Sequence, residues 1–254
     1  MIEMETVNRC NGKCPFCPVN VTQPQRPYAK MSEELFRKII DDLADMHYSN
    51  GIAFYCNNEP FLDERIIDFY KYANAKLPRA TFYMYTNGSL LTLDKFLEIM
   101  PYLDKIIIDN YNDRKEFNSP ELEEIYHYVK THHELRKRVR FDFRRLNEVL
   151  FSRGGQAPNK QGRNQARAAS VLCVLPFRQL VIRPTGEVSL CCNDALGKYT
   201  LGNLNTQSVL EVWNSPEYQA IRNDMLKNAR KNLMLCDKCD AMLFPGRITR
   251  QRPY

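Results

Sequence analysis

Along residues 1-145, short apolar runs alternate with amphipathic stretches, a rhythm that predicts βα units around a parallel sheet. Strands are predicted over 2-7, 51-55, 81-85, 105-109 and 139-143. Between them, helical periodicity marks 32-43, 63-75, 92-100 and 120-132, with Ser32 as an N-cap ahead of Glu34. Thr86-Asn87-Gly88 predicts a turn at the end of the third strand. Five such repeats make an α/β fold, either a partial barrel or an open sheet.

After Arg145 the pattern changes. Residues 147-169 hold Gly154-Gly155, Pro158, Gly162 and many polar side chains, and read as a linking loop. A hairpin-like pair, 179-183 and 187-191, is joined by Pro184-Thr185-Gly186 and precedes a helix over 208-227. The predicted division is an α/β domain over 1-145, a linker with Arg153-Gly154-Gly155 over 146-172, a small α+β module over 173-245 and a basic tail over 246-254.

A formal charge of +6 is too modest to predict a nucleic-acid partner. No apolar run approaches the roughly 18 residues needed to cross a bilayer, and no signal segment opens the chain, so a soluble cytoplasmic protein is expected. The odd count of nine cysteines changes the picture most. In a reducing compartment, clustered thiols point to metal binding or catalysis, not disulfides.

Cys10, Cys14 and Cys17 fall in one short loop directly after the first predicted strand. Three is the informative number, because structural zinc and electron-transfer clusters ordinarily take four protein ligands. Three thiolates on a 4Fe-4S cube leave one iron open. A zinc knuckle completed by His47 or another cysteine is the competing reading. Asn57-Asn58-Glu59-Pro60 follows the second strand and Tyr85-Thr86-Asn87-Gly88 ends the third, both on the C-terminal rim where α/β barrels carry their sites. Later, Cys173, Cys191, Cys236 and Cys239 form a second set, for which either a cluster or a four-thiolate zinc site is open.

The CxxxCxxC spacing on that first loop resembles the signature of the radical S-adenosylmethionine (SAM) superfamily. This resemblance implies a partial (β/α) barrel, a catalytic 4Fe-4S cluster on Cys10, Cys14 and Cys17, and SAM on its open iron. It further implies that Phe16 lies near the adenine, that Asn58 and Glu59 meet the SAM amino group, and that Thr86 and Asn87 share that rim. Asparagines stand where the family commonly has Gly-Gly before Glu-Pro.

The C-terminal cysteines, with Leu190-Cys191-Cys192-Asn193-Asp194 and Leu201-Gly202-Asn203-Leu204, resemble the SPASM and twitch modules of that superfamily. The twitch form implies one auxiliary 4Fe-4S cluster on Cys173, Cys191, Cys236 and Cys239. The chain also resembles the aminocyclitol dehydrogenases of that superfamily. That implies a small polyol substrate, oxidation of a secondary alcohol to a ketone with the auxiliary cluster as electron acceptor, and a flavodoxin or ferredoxin-type reductant.

Arg153 and Tyr85 are then expected at the substrate. Guanidinium pKa values exceed about 12, so Arg153 is expected to anchor substrate oxygens and not to act as a free base. Cys56 and Cys192 keep an epimerase reading open, since either thiol could donate a hydrogen atom. Because the cysteine loop begins at residue 10, no leader-binding domain is expected ahead of it, although a separate partner would still permit peptide modification. A non-catalytic iron-sulfur or zinc protein is the reading from another class.

Overall fold

The computed structural model describes residues 1-19, 26-148, 151-158 and 170-241. The predicted basic tail, residues 149-150 and 159-169 of the predicted linker, and residues 242-245 of the predicted module lie outside the described residues.

Five parallel strands, β1 (Ile2–Met4), β2 (Gly51–Ala53), β3 (Thr81–Thr86), β4 (Lys105–Tyr111) and β5 (Val139–Arg144), stand side by side in chain order. On the other side of β1, β6 (Leu180–Ile182) pairs parallel to it, followed by antiparallel β7 (Glu187–Ser189) and β8 (Thr200–Asn203). The result is one eight-stranded sheet in the order β5-β4-β3-β2-β1-β6-β7-β8. The C-terminal hairpin therefore continues the sheet of the N-terminal units, which brings the two cysteine sets to one framework.

The crossover helices form where apolar residues recur at helical spacing. α1 (Glu33–Asp45) buries Leu35, Phe36, Ile39, Ile40 and Leu43, and Ser32 caps it by accepting a hydrogen bond from Leu35 N. Phe36 stacks on Phe69 of α2 (Ile66–Lys76) with ring centroids 3.9 Å apart. α3 (Leu93–Ile99) and α4 (Pro120–Thr131) cover the same face, capped by Thr92 and Ser119. Each fully buried Leu, Ile or Phe adds about 1.5–3 kcal/mol of hydrophobic stabilisation. No helix among the described residues is long and apolar enough to cross a membrane.

Several elements depart from the sequence expectation. The helix predicted over 208-227 is two helices, α6 (Val209–Trp213) and α7 (Pro216–Asn228), with α5 (Leu175–Arg178) a short turn ahead of β6. Pro216 has no N–H and disfavours helical geometry at Ser215, which caps α7 by accepting from Tyr218 N. The helix predicted from 63 starts at Ile66, because Pro60–Leu62 forms a separate 3-10 turn capped by the Glu59 side chain. The first strand ends at Met4, and Val7 makes only an isolated bridge to Lys30. β8 was not predicted as a strand; Leu201 is its only buried residue, so it carries little apolar pattern.

Candidate functional site

The loop after β1 presents three thiols to a cavity of about 540 Å³ at the C-terminal edge of the parallel strands. Cys17 N donates to Cys14 O at 3.1 Å, and Gly12 N donates to Cys10 Sγ at 3.3 Å. A Cβ on Gly12 would lie 3.3 Å from Cys10 Sγ and 3.7 Å from Cys14 Sγ, so the glycine leaves open a space that two of the thiols border. Burial, reinforced by the neighbouring thiols, pushes Cys10 up to about 12 and Cys14 up to about 11. Such thiols stay protonated at neutral pH unless a metal claims them.

Glu59 ties the loops around that cavity together. It is 1% exposed, and its carboxylate accepts from Thr86 Oγ1 at 2.7 Å, Asn87 N at 2.8 Å and Phe61 N at 3.2 Å. Its own N–H donates to Arg9 O, beside Cys10. Burial raises its pKa to about 7 against these stabilising donors. Asn87 Nδ2 in turn donates to Asn11 Oδ1 at 2.9 Å and approaches Cys10 Sγ at 3.8 Å. Asn58 Oδ1 accepts from Cys56 N, while its Nδ2 is buried without a hydrogen-bond partner among the described residues. That unsatisfied donor beside a carboxylate and three thiols fits a polar ligand such as the amino-acid end of SAM. Phe16 is buried on the same wall, its ring centroid 5.1 Å from that of Tyr111.

The floor holds a second polar group. Glu3 of β1 lines the cavity, buried, and accepts hydrogen bonds from the Cys56 thiol and the Gln179 amide. Burial raises its pKa to about 7, opposed by those bonds, the chain's N-terminal ammonium and the Arg153 charge. Burial also raises the Cys56 pKa far above the usual thiol range, so Cys56 keeps its proton. Tyr85, at the end of β3, lines the cavity with its ring 5.0 Å from Tyr55. Glu3 and Gln179 were missed by the sequence reading. The signal was present: Glu3 and Glu5 alternate with Ile2 and Met4, the period-two pattern of a strand with one polar, inward face.

Arg153, Gly154 and Gly155 all have positive φ, at 46°, 63° and 79°. Arg153 Nη1 reaches across to Asn57 Oδ1 at 2.7 Å and lines the cavity. Ser152 N donates to Asp240 Oδ1 at 2.6 Å and Ser152 Oγ to Lys238 O at 2.8 Å, so the segment is fastened to the Cys236–Cys239 loop. Asn57 Nδ2 also donates to Cys192 O at 3.2 Å.

Cys173, Cys191, Cys236 and Cys239, all buried, line a separate small pocket with Leu190, Leu235 and Arg230. Cys239 N donates to Cys236 O at 3.1 Å, closing the CxxC turn. Among the described residues, no three His, Cys, Asp or Glu side chains are grouped as ligands of one metal ion; the thiols border open pockets. His47 lies exposed in the turn after α1, away from the residues that line the cavity. Every cysteine, cofactor and substrate position singled out in the sequence thus lies on one of these two pockets.

Residues 4–112 match the Radical SAM superfamily model, and residues 173–240 match the SPASM iron-sulfur cluster-binding domain. The chain is 27% identical over 242 residues to the S-adenosyl-L-methionine-dependent 2-deoxy-scyllo-inosamine dehydrogenase of Niallia circulans, covering 94% of this chain and 92% of that protein. Its fold matches BtrN in complex with AdoMet and 2-DOIA, with a TM-score of 0.80 at 22% identity over 95% of this chain and 93% of that one. It also matches anSMEcpe with bound AdoMet, with a TM-score of 0.51 at 13% identity, over 94% and 84% of the two chains. The two domain matches fall in tandem on the two thiol pockets, so the chain carries a radical SAM domain followed by a SPASM domain at its C-terminal side.

Proposed function

We propose that this radical SAM enzyme is a dehydrogenase that oxidises a secondary alcohol of a sugar or aminocyclitol to a ketone. The observation that carries the reading is one cavity lined both by three thiols with Glu59 and by the polar floor of Glu3, Cys56, Tyr85 and Arg153. The similarity to an aminocyclitol dehydrogenase over nearly the whole chain supports the substrate class.

Cys10, Cys14 and Cys17 hold a 4Fe-4S cluster, and Asn58, Glu59, Thr86, Asn87 and Phe16 hold SAM. Cys173, Cys191, Cys236 and Cys239 hold a second 4Fe-4S cluster. When bound, these groups would supply radical hydrogen-abstraction chemistry and an electron acceptor. Arg153 and Tyr85 anchor the substrate oxygens. Glu3 takes the hydroxyl proton on a carboxylate oxygen, a task suited to its pKa of about 7. A flavodoxin or ferredoxin-type protein supplies the reducing electron, in the cytoplasm.

The test is anaerobic incubation of the reduced, reconstituted protein with SAM and a panel of sugars and aminocyclitols. Substrate-dependent 5′-deoxyadenosine with a product two hydrogens lighter is expected; no 5′-deoxyadenosine under any condition would refute the reading.

One observation favours a second reading, epimerisation: Cys56 presents a protonated thiol to the same cavity. A product of unchanged oxidation level carrying one solvent deuterium, lost in Cys56→Ala, would select it.

A further inference from the structure

Arg230 is 1% exposed and lines the pocket formed by Cys173, Cys191, Cys236 and Cys239. Only Nη1 has a hydrogen-bond partner among the described residues, the Cys239 carbonyl at 3.4 Å; Nε and Nη2 are buried and unpartnered. No carboxylate among the described residues pairs with it. The backbone takes an unusual course to put it there, since Ala229, directly after α7, has φ 55° and ψ −116°. A guanidinium is costly to bury without an anion and donors to spare are costly to leave unmade. The four thiols line the same pocket as Arg230 and are the candidates for that anion.

We infer that Arg230 is the counter-cation of the SPASM cluster, its Nε and Nη2 hydrogens directed to cluster sulfur. The inference rests on the four-thiolate ligand set proposed above. A cluster held by four thiolates is a net anion and becomes more negative on reduction. A buried positive charge and N–H donors at its sulfurs stabilise the reduced form more than the oxidised form, and so raise the reduction potential. Arg230 is thus a positioning and tuning residue, one that makes the cluster a better electron acceptor.

The test uses the full-length chain with Cys10, Cys14 and Cys17 replaced by Ala, so that only the second cysteine set binds iron. About four irons per chain would establish the ligand set. Its reduction potential, read by redox titration with EPR detection, should fall in Arg230→Met and fall less in Arg230→Lys, which keeps the charge but not the fork of donors. In protein carrying 15N-guanidino arginine, the reduced cluster should show a 15N hyperfine coupling that Arg230→Lys removes. That measurement decides the matter even if Arg230→Met fails to hold iron. Four irons with an unchanged potential or no 15N coupling would overturn the inference alone; absence of iron, or zinc in its place, would overturn the ligand set and the inference together.

Discussion

Arg153 Nη1 donates a 2.7 Å hydrogen bond to Asn57 Oδ1, joining the linker to the loop that carries Glu59. The same linker is fastened through Ser152 to Asp240 and Lys238, one residue either side of Cys239. One short segment therefore lies between the catalytic cavity and the auxiliary pocket, and its backbone is built to make that bridge.

Gly154 is the point at which this bridge is most easily broken. Its φ is 63°, and a Cβ there would sit 2.4 Å from Leu235 Cδ1. Gly154→Ala should therefore destabilise the protein by about 2 kcal/mol or more, through backbone strain and overpacking together. Thermal unfolding would show the loss, and turnover should fall further than stability does because Arg153 is displaced with the segment.

Cluster loading separates the two pockets. Reconstituted protein should bind about eight irons, falling to about four in Cys14→Ala and in Cys236→Ala alike. The two variants should nonetheless differ in chemistry. Cys14→Ala should make no 5′-deoxyadenosine, whereas Cys236→Ala should still make it but yield little ketone. Equal loss of 5′-deoxyadenosine in both would assign the second pocket to SAM cleavage as well.

Most of this arrangement was legible before any coordinates, for physical reasons that also explain the gaps. Thiol spacing is readable because iron-sulfur clusters are held mostly by cysteines, and a run of closely spaced thiols is not something core packing calls for. Long helices such as α1 declare themselves because five buried apolar side chains must share one face. β8 gives no such signal, with Leu201 alone buried, and its pairing with β7 is decided by backbone contacts. Pro216 did announce the break between α6 and α7, but helical periodicity on both sides masked it. Glu3 and Gln179 meet only because β1 and β6 are neighbours, a long-range pairing that no local pattern states.

Glu59 should matter twice. Glu59→Ala would leave Thr86, Asn87 N and Phe61 N without their acceptor, costing roughly 2 kcal/mol or more if water does not replace it. Glu59→Gln keeps an acceptor and should cost less. Both should weaken SAM binding, measured by calorimetry on reconstituted protein. SAM affinity unchanged in Glu59→Ala would remove Glu59 from the cofactor site.

Glu3 gives the sharpest pH signature. Its pKa of about 7 in the fold lies above the ordinary 4.5, chiefly through burial. A raised carboxyl pKa means that the folded protein holds the proton more tightly than the unfolded chain. Its contribution to stability is thus fully present below about pH 4.5 and is lost as pH rises through about 7. Across that window the loss amounts to roughly 3 kcal/mol. Glu3→Gln has no proton to lose, so wild type and variant should match in stability at the acid end of the window. The variant should become the more stable of the two above pH 7, as read by urea unfolding at a series of pH values. Activity should move the opposite way: wild-type turnover rises with a midpoint near pH 7 as the carboxylate becomes available to take the substrate proton, while Glu3→Gln is slow throughout and loses that rise. A variant with the wild-type pH profile would leave Glu3 a structural acid, and the hydroxyl proton would have to depart by another route.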